Sequence, residues 1–329
     1  MAVYTSVSDN QLAQFLTEYD LGEAIAFKGI AEGVENSNYY LETTTGRFIL
    51  TLFEKRATPE DLPYFIELKR HLAENEFSCP LPVAAKDGKA LRRLAGRPAV
   101  IITFLKGLSP RVPNAVQCRQ LGEGLARLHQ AASDFAMTRE NDLGPASWPK
   151  LWEGRADTAE TLQAGLAEKI SADLSTLQAL DQLYDALPKG TIHADLFPDN
   201  AFFLGDRFTG AIDFYFACTD ALAYDLAICL NAWAFESDGA FNFSKGANLI
   251  AGYQSVRALQ EVEQDAFPLL CRGAAIRFFL TRLIDWTDTP EDALVKPKHP
   301  IDYADRLRFH RTARAIRDYG GEISPSAVQ

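Results

Sequence analysis

Apolar and polar residues alternate along Asn38–Thr43 and Arg47–Phe53, with Thr44-Thr45-Gly46 between the two runs. Alternation with a period of two marks strands that bury one face, and the intervening residues mark a turn. Together with Ala24–Ile30, these runs predict an antiparallel meander. Ahead of them, Ser8 or Asp9 stands where it can cap a helix whose apolar stripe is Leu12, Phe15 and Leu16. A second helix is predicted to begin near Pro59, with Phe65, Leu68 and Leu72 on one face, and to stop before Pro80 and Pro82. Val83–Ala85 and Pro98–Leu105 supply two further strands.

Past Lys106-Gly107 the apolar period lengthens to that of a helix. Val116–Ala132 places Leu121, Leu125, Leu128 and Ala132 on one face. Ala156–Ala186 does the same with Leu162, Leu166, Ile170, Leu174, Leu177 and Leu180, and reads as one helix. Strand and turn return over Thr191–Asp213, and the rest is helical from Ala221 on. The predicted fold class is α+β. A small antiparallel sheet lobe covers residues 1–105, and a larger, mainly helical lobe covers 106–329.

The 329 residues are 47% hydrophobic and 23% charged, which suits a globular chain with a sizeable core. The net charge of −11 argues against a nucleic-acid partner, because neutralising phosphates needs a basic face. The nearest basic cluster, Lys86, Lys89, Arg92, Arg93 and Arg97, reads as a solvated hairpin. Five scattered cysteines without zinc spacing suggest reduced, buried thiols. No signal-like or membrane-spanning apolar run is expected, so a cytoplasmic location follows.

Chemistry concentrates in His193-Ala-Asp195-Leu-Phe-Pro-Asp-Asn200, followed by a predicted hairpin that ends at Asp213. Phosphoryl transfer needs a carboxylate to take the proton of the attacking hydroxyl and hard oxygen ligands to hold Mg²⁺ on ATP. In this spacing Asp195 is the candidate base, and Asn200 and Asp213 are the candidate metal ligands. Taken singly, each is as well explained by a cap or an Asx turn; the combination is what points to catalysis. His193 is expected to orient the loop by a hydrogen bond. Between the first two strands, Gly29–Asn38 can aim backbone N–H groups at phosphates. Gly33, Ser37 and Asn38 are the candidate nucleotide contacts there.

The segment HADLFPDN…AIDFYFACTDALAYDLA resembles the phosphotransferase family that includes aminoglycoside and choline kinases and shares the protein-kinase-like fold. Phe197 stands where protein kinases carry a lysine, Tyr215 stands where they carry glycine, and no Ala-Pro-Glu segment follows. The resemblance therefore implies a small-molecule acceptor. It also implies that Asp220 and Asp225 brace the catalytic loop and the following helix, and that the nucleotide base docks on Ala99–Leu105. The phosphate-binding lysine usual in this family is replaced by Thr51.

A finer similarity, to the bacterial homoserine kinases of this phosphotransferase type, is carried by YTSVSDNQLAQFLTEYDLG, GVENSNYYLETTTGRFILTLFE, LGEGLARLH and RFFLTRLIDW. It implies ATP and L-homoserine as substrates. A zwitterion needs a cation for its carboxylate, so Arg277 and Arg282 are the candidate substrate ligands, with Asn231 and Trp233 as pocket-lining candidates. Hydroxylysine, choline, ethanolamine, methylthioribose or an aminoglycoside remain as other acceptors. A nucleotide-binding regulator without catalysis and a metal hydrolase are the competing classes.

Overall fold

The computed structural model describes residues 5–30, 36–54, 60–289 and 297–321. They divide into two compact units, the first ending at Lys106 and the second beginning at Gly107.

The first unit opens with helix α1 (Asp9–Leu16). Ser8 caps it: its hydroxyl accepts the Gln11 N–H, and the Gln11 side chain answers on the Ser8 N–H. Strands β1 (Ala24–Gly29), β2 (Asn36–Thr43) and β3 (Gly46–Phe53) follow, then helix α2 (Leu62–Glu74), β4 (Arg92–Leu94) and β5 (Arg97–Thr103). The five strands form one antiparallel sheet in the order β1-β2-β3-β5-β4. Register pairs Tyr39 with Leu50, Leu41 with Phe48 and Leu50 with Ile101. That row packs on Leu12, Phe15 and Leu16 of α1 to form the core of this unit. The predicted start of α2 at Pro59 lies outside the described residues. Val83–Ala85 is not a strand: Pro82 makes only an isolated bridge to Ile102, and the sheet is completed by Arg92–Leu94. The Val83 N–H still bonds the Ile101 carbonyl at 2.8 Å, but the Ala85 N–H turns to the Lys89 carbonyl at 2.9 Å, so the pairing goes no further.

The second unit runs through α3 (Ala115–Ala131), α4 (Trp148–Trp152), α5 (Ala156–Leu162), α6 (Leu166–Leu177) and α7 (Leu180–Leu183). Next come β6 (Lys189–Ile192), β7 (Ala201–Leu204), β8 (Arg207–Ala211), β9 (Cys218–Ala221), α8 (Leu222–Trp233), α9 (Phe243–Gln254), α10 (Glu261–Asp288) and α11 (Ile301–His310). The single helix expected over Ala156–Ala186 is three pieces. Gly165 takes a φ of 73° at the first break, a backbone that cannot continue a right-handed helix.

β6 pairs with β9, and β7 with β8, each antiparallel. α3 and α9 touch backbone to backbone: a Cβ on Gly122 would lie 2.1 Å from the Leu249 carbonyl oxygen, and one on Gly252 would lie 2.1 Å from that of Arg119. Only glycine permits this approach. The fully buried Asp173 of α6 receives both Arg272 of α10 and Arg311 just past α11, with the Arg311 contact at 2.7 Å. This paired, hydrogen-bonded charge ties three helices together. Among the described residues, no helix is long and apolar enough to cross a membrane.

Candidate active site

Residues 193–200 leave β6, turn, and enter β7. Both carboxylate oxygens of Asp225 take up the start of this turn: Oδ2 accepts the His193 N–H at 2.7 Å and Oδ1 the Ala194 N–H at 2.9 Å. Ala194 is thereby held at a φ of 60°, a left-handed conformation costly for a residue with a Cβ. Arg277 donates to the Ala194 carbonyl from the other side. Phe197 N–H bonds the Asp195 carbonyl at 2.8 Å, and Asn200 N–H bonds the Phe197 carbonyl at 2.9 Å. The Trp233 indole donates to the Leu196 carbonyl at 2.8 Å. The loop's shape is therefore set by partners that are themselves buried.

Asn200 turns back on Asp195. Its Nδ2 donates to the Asp195 carbonyl at 2.8 Å and to Asp195 Oδ2 at 3.2 Å. The Ile212 N–H donates to the Asn200 carbonyl at 2.9 Å, which puts Asp213 beside the same turn. Asp213 is exposed and has a φ of 62°, a second strained non-glycine residue in this small region. Its carboxylate is thus presented at the end of the hairpin. Asp195 and Asn200, which the sequence singles out with Asp213, are bonded to each other, and Asp213 follows the residue whose N–H bonds Asn200.

His193 connects the two halves. Its Nε2 lies 2.9 Å from the Ile212 carbonyl, which can only accept, so Nε2 carries the proton. Nδ1 then accepts the Asp195 N–H at 3.3 Å. Burial disfavours the charged ring and holds its pKa below the ordinary histidine value, in keeping with this neutral tautomer.

Behind the loop, Asp225 also meets His129 Nε2 of α3 at 3.1 Å. His129 Nδ1 lies 2.8 Å from the Tyr253 hydroxyl of α9, which receives Arg257, itself paired with the buried Glu263 at 2.9 Å. Burial works against the Asp225 carboxylate. Hydrogen bonding and charge from His129, with the His193 amide, outweigh it and leave the pKa below the usual carboxylate range. Asp220 sits apart from the loop. It accepts Asn141 Nδ2 at 2.5 Å, the Tyr184 hydroxyl at 2.6 Å and the Ala221 N–H at 2.7 Å, anchoring the start of α8.

In the first unit, Gly33 lies outside the described residues. Ser37 and Asn38 are adjacent on β2 and so face opposite sides of the sheet. Ser37 is buried, donates to Glu54 Oε1 at 2.6 Å and accepts the Thr5 N–H at 3.1 Å. Asn38 Oδ1 accepts the Thr51 hydroxyl across the strands at 2.8 Å. A neutral pair thus stands at the position of the usual lysine.

The four candidate substrate residues are engaged by protein. Trp233 is buried against Phe203 and holds Leu196. Asn231 is fully buried: Nδ2 donates to Ala227 and Cys271 carbonyls at 3.0 and 2.9 Å, and Oδ1 accepts His310 Nε2 at 3.0 Å. Neither side chain lines open space. Arg277 is buried on Ala194 and over the Phe278 ring. Arg282 donates to the His299 carbonyl at 3.1 Å and to Asp302 at 2.9 Å. Helical periodicity puts an apolar or amide group on the inner face, but it cannot say whether that face meets a pocket or another helix.

His310 carries a stability prediction. Burial, reinforced by the positive charges of Arg306 and Arg272, lowers its pKa to about 3. The unfolded chain takes up this proton near pH 6.5, so it binds more protons than the folded chain between there and about pH 3. Unfolding free energy should fall as pH drops through that window, by on the order of 4 kcal/mol from this residue. Urea titrations of wild type and His310→Gln from pH 7 to 4 measure it; parallel curves would sink the assignment.

Residues 26–259 match the phosphotransferase enzyme family, APH. The homoserine kinase of Hyphomonas neptunium is 63% identical over 327 residues, covering 97% of this chain and 100% of its own. That of Bradyrhizobium diazoefficiens is 56% identical over 328 residues, covering 100% and 99%. Among solved structures, a microcompartment-associated aminopropanol kinase superposes with a TM-score of 0.67 at 19% identity, covering 92% of this chain and 97% of its own. An aminoglycoside phosphotransferase from Alicyclobacillus acidocaldarius does so at 0.65 and 15%, covering 92% of each chain. At such identities the structures speak for the fold alone, which is protein-kinase-like. The sequence relatives extend end to end, and on that ground the chain belongs to the phosphotransferase enzyme family.

Proposed function

We propose that this enzyme transfers the γ-phosphoryl group of ATP to the side-chain hydroxyl of L-homoserine, giving ADP and O-phospho-L-homoserine. The observation that carries the reading is the loop at residues 193–200, where Asn200 binds Asp195 and takes the N–H of Ile212, the residue before Asp213, in a chain matched end to end by homoserine kinases. Asp195 accepts the hydroxyl proton as the new O–P bond forms and the bond from the γ-phosphorus to the β-phosphate oxygen breaks. Asn200 Nδ2 faces Asp195, which leaves its Oδ1 on the other branch of the amide. That oxygen and the exposed Asp213 carboxylate are hard donors of the kind Mg²⁺ takes, and they would hold it. When bound, the ion neutralises phosphate charge.

Asp225, Arg277 and His193 keep the base and the ligand residues in register. Asp220 steadies the helix that carries Asp225. On the nucleotide side, Gly33 and Asn38 are assigned to the phosphates; Ser37, turned toward Glu54, supports the strand. All five cysteines are buried and unlinked, which fits a reducing cytoplasm.

Coupled ADP release with L-homoserine, hydroxylysine, choline, ethanolamine, methylthioribose and an aminoglycoside tests the acceptor. Homoserine should lead in kcat/KM by on the order of 10²-fold or more. A preference for any other alcohol removes homoserine, and no turnover with any of them removes the kinase reading.

A further inference from the structure

Arg277 and Arg282 do not leave a cation for a substrate carboxylate, because each guanidinium has a protein acceptor. One turn of α11 offers different chemistry. Tyr303 is fully buried and its hydroxyl has no hydrogen-bond partner among the described residues. Three positions on, Arg306 is half-buried, and its Nη1 is shielded from solvent and equally without a partner. Arg277 Nε shares that condition, but its guanidinium is fixed by the Ala194 carbonyl. The carboxylates flanking Arg306 on α11 are engaged elsewhere, Asp302 with Arg282 and Asp305 with Arg308.

A buried donor left unsatisfied is costly, and native chains rarely carry two side by side without a use. The Arg306 guanidinium lies 4.3 Å from the centre of the Tyr303 ring and 5.5 Å from that of Phe235. Stacking on aromatic faces fixes the plane of the guanidinium while its N–H groups still point outward within that plane. Both orphaned groups are donors, since burial pushes the Tyr303 phenol further above its ordinary pKa and keeps its proton. A ligand that satisfies such donors, one of them a cation, is an oxyanion, and a carboxylate is one.

The place is right for the acceptor substrate. Tyr303 stacks on Phe278, with ring centres 5.3 Å apart, and Phe278 meets Phe197 of the catalytic loop at 4.9 Å. Tyr303 also lies within the electrostatic reach of Asp195. These ring contacts put this turn of α11 next to the catalytic loop.

We propose that Arg306, with the Tyr303 hydroxyl, binds the α-carboxylate of the amino-acid acceptor and so determines specificity for an amino acid over a simple amino alcohol. This rests on homoserine being the acceptor. The test compares kcat/KM for L-homoserine with that for its decarboxylated analogue, which keeps the ammonium and the primary hydroxyl. In Arg306→Met the homoserine-to-analogue ratio should fall on the order of 10²-fold, and in Tyr303→Phe about 10-fold, as expected when a buried charge-assisted or neutral hydrogen bond is removed. Arg306→Lys, which keeps the charge without the fork, should give an intermediate ratio. An unchanged ratio in both Arg306 variants overturns the proposal. If wild type prefers the analogue, the acceptor assignment itself fails, an outcome visible before any variant is made.

Discussion

Asp195→Asn lowers kcat about 10³-fold and leaves the KM for ATP within about a factor of two. The substitution keeps the shape of the side chain, and an amide oxygen can still accept from Asn200 Nδ2, so the 3.2 Å contact has a replacement. What is lost is the ability to take a proton from the hydroxyl as it attacks. An interaction made only in the transition state appears in kcat, not in nucleotide binding. The loop should stay intact, because its shape is set by Asp225, Arg277 and Trp233 and not by this carboxylate. Single-turnover phosphoryl transfer, ATP titration and a urea curve on the same protein separate these effects. Turnover at the wild-type rate would remove Asp195 as the base.

Asp225→Asn damages the same reaction from behind. The wild-type carboxylate faces the amides of His193 and Ala194 and the ring of His129, all buried. An asparagine offers a single oxygen and replaces the other with an NH₂ group, so at least one buried N–H loses its acceptor and faces a donor instead. The expected cost is roughly 3–5 kcal/mol of stability, as for breaking a buried pair from one side. It comes with a fall in kcat, since Ala194 loses what holds its left-handed backbone. The pH dependence has a definite sign. The folded pKa of Asp225 is depressed, so its contribution is complete above the unfolded value near 4 and is lost as pH falls through the folded one. The gap between wild type and variant in urea should therefore narrow below about pH 4. A gap that is small at neutral pH would mean the carboxylate is not what holds the loop.

The sheet meander was legible because its strands bury one face: Tyr39, Leu41 and Leu50 alternate with polar or half-buried neighbours. α1 announced itself through Ser8 and Gln11, whose capping chemistry is local. The contact of Asn200 with Asp195 was legible for the same reason, since a short turn joins them with few alternatives. The break at Gly165 was obscured because the apolar stripe runs on at helical spacing across it. Ser37 and Asn38 looked equivalent as neighbours in a polar loop, yet they lie in a strand, where neighbours part to opposite faces.

Sequence by itself determined the α+β fold class and the family, both of which depend on spacing along the chain. Tertiary structure alone decided which arginine is committed to protein and which is not, because that depends on partners far away in sequence. Arg277 donates to Ala194 and Arg282 to His299 and Asp302, whereas neither Arg306 Nη1 nor the Tyr303 hydroxyl has an acceptor among the described residues. Periodicity tells which side of a helix turns inward; what waits there is fixed only when the other helices have packed.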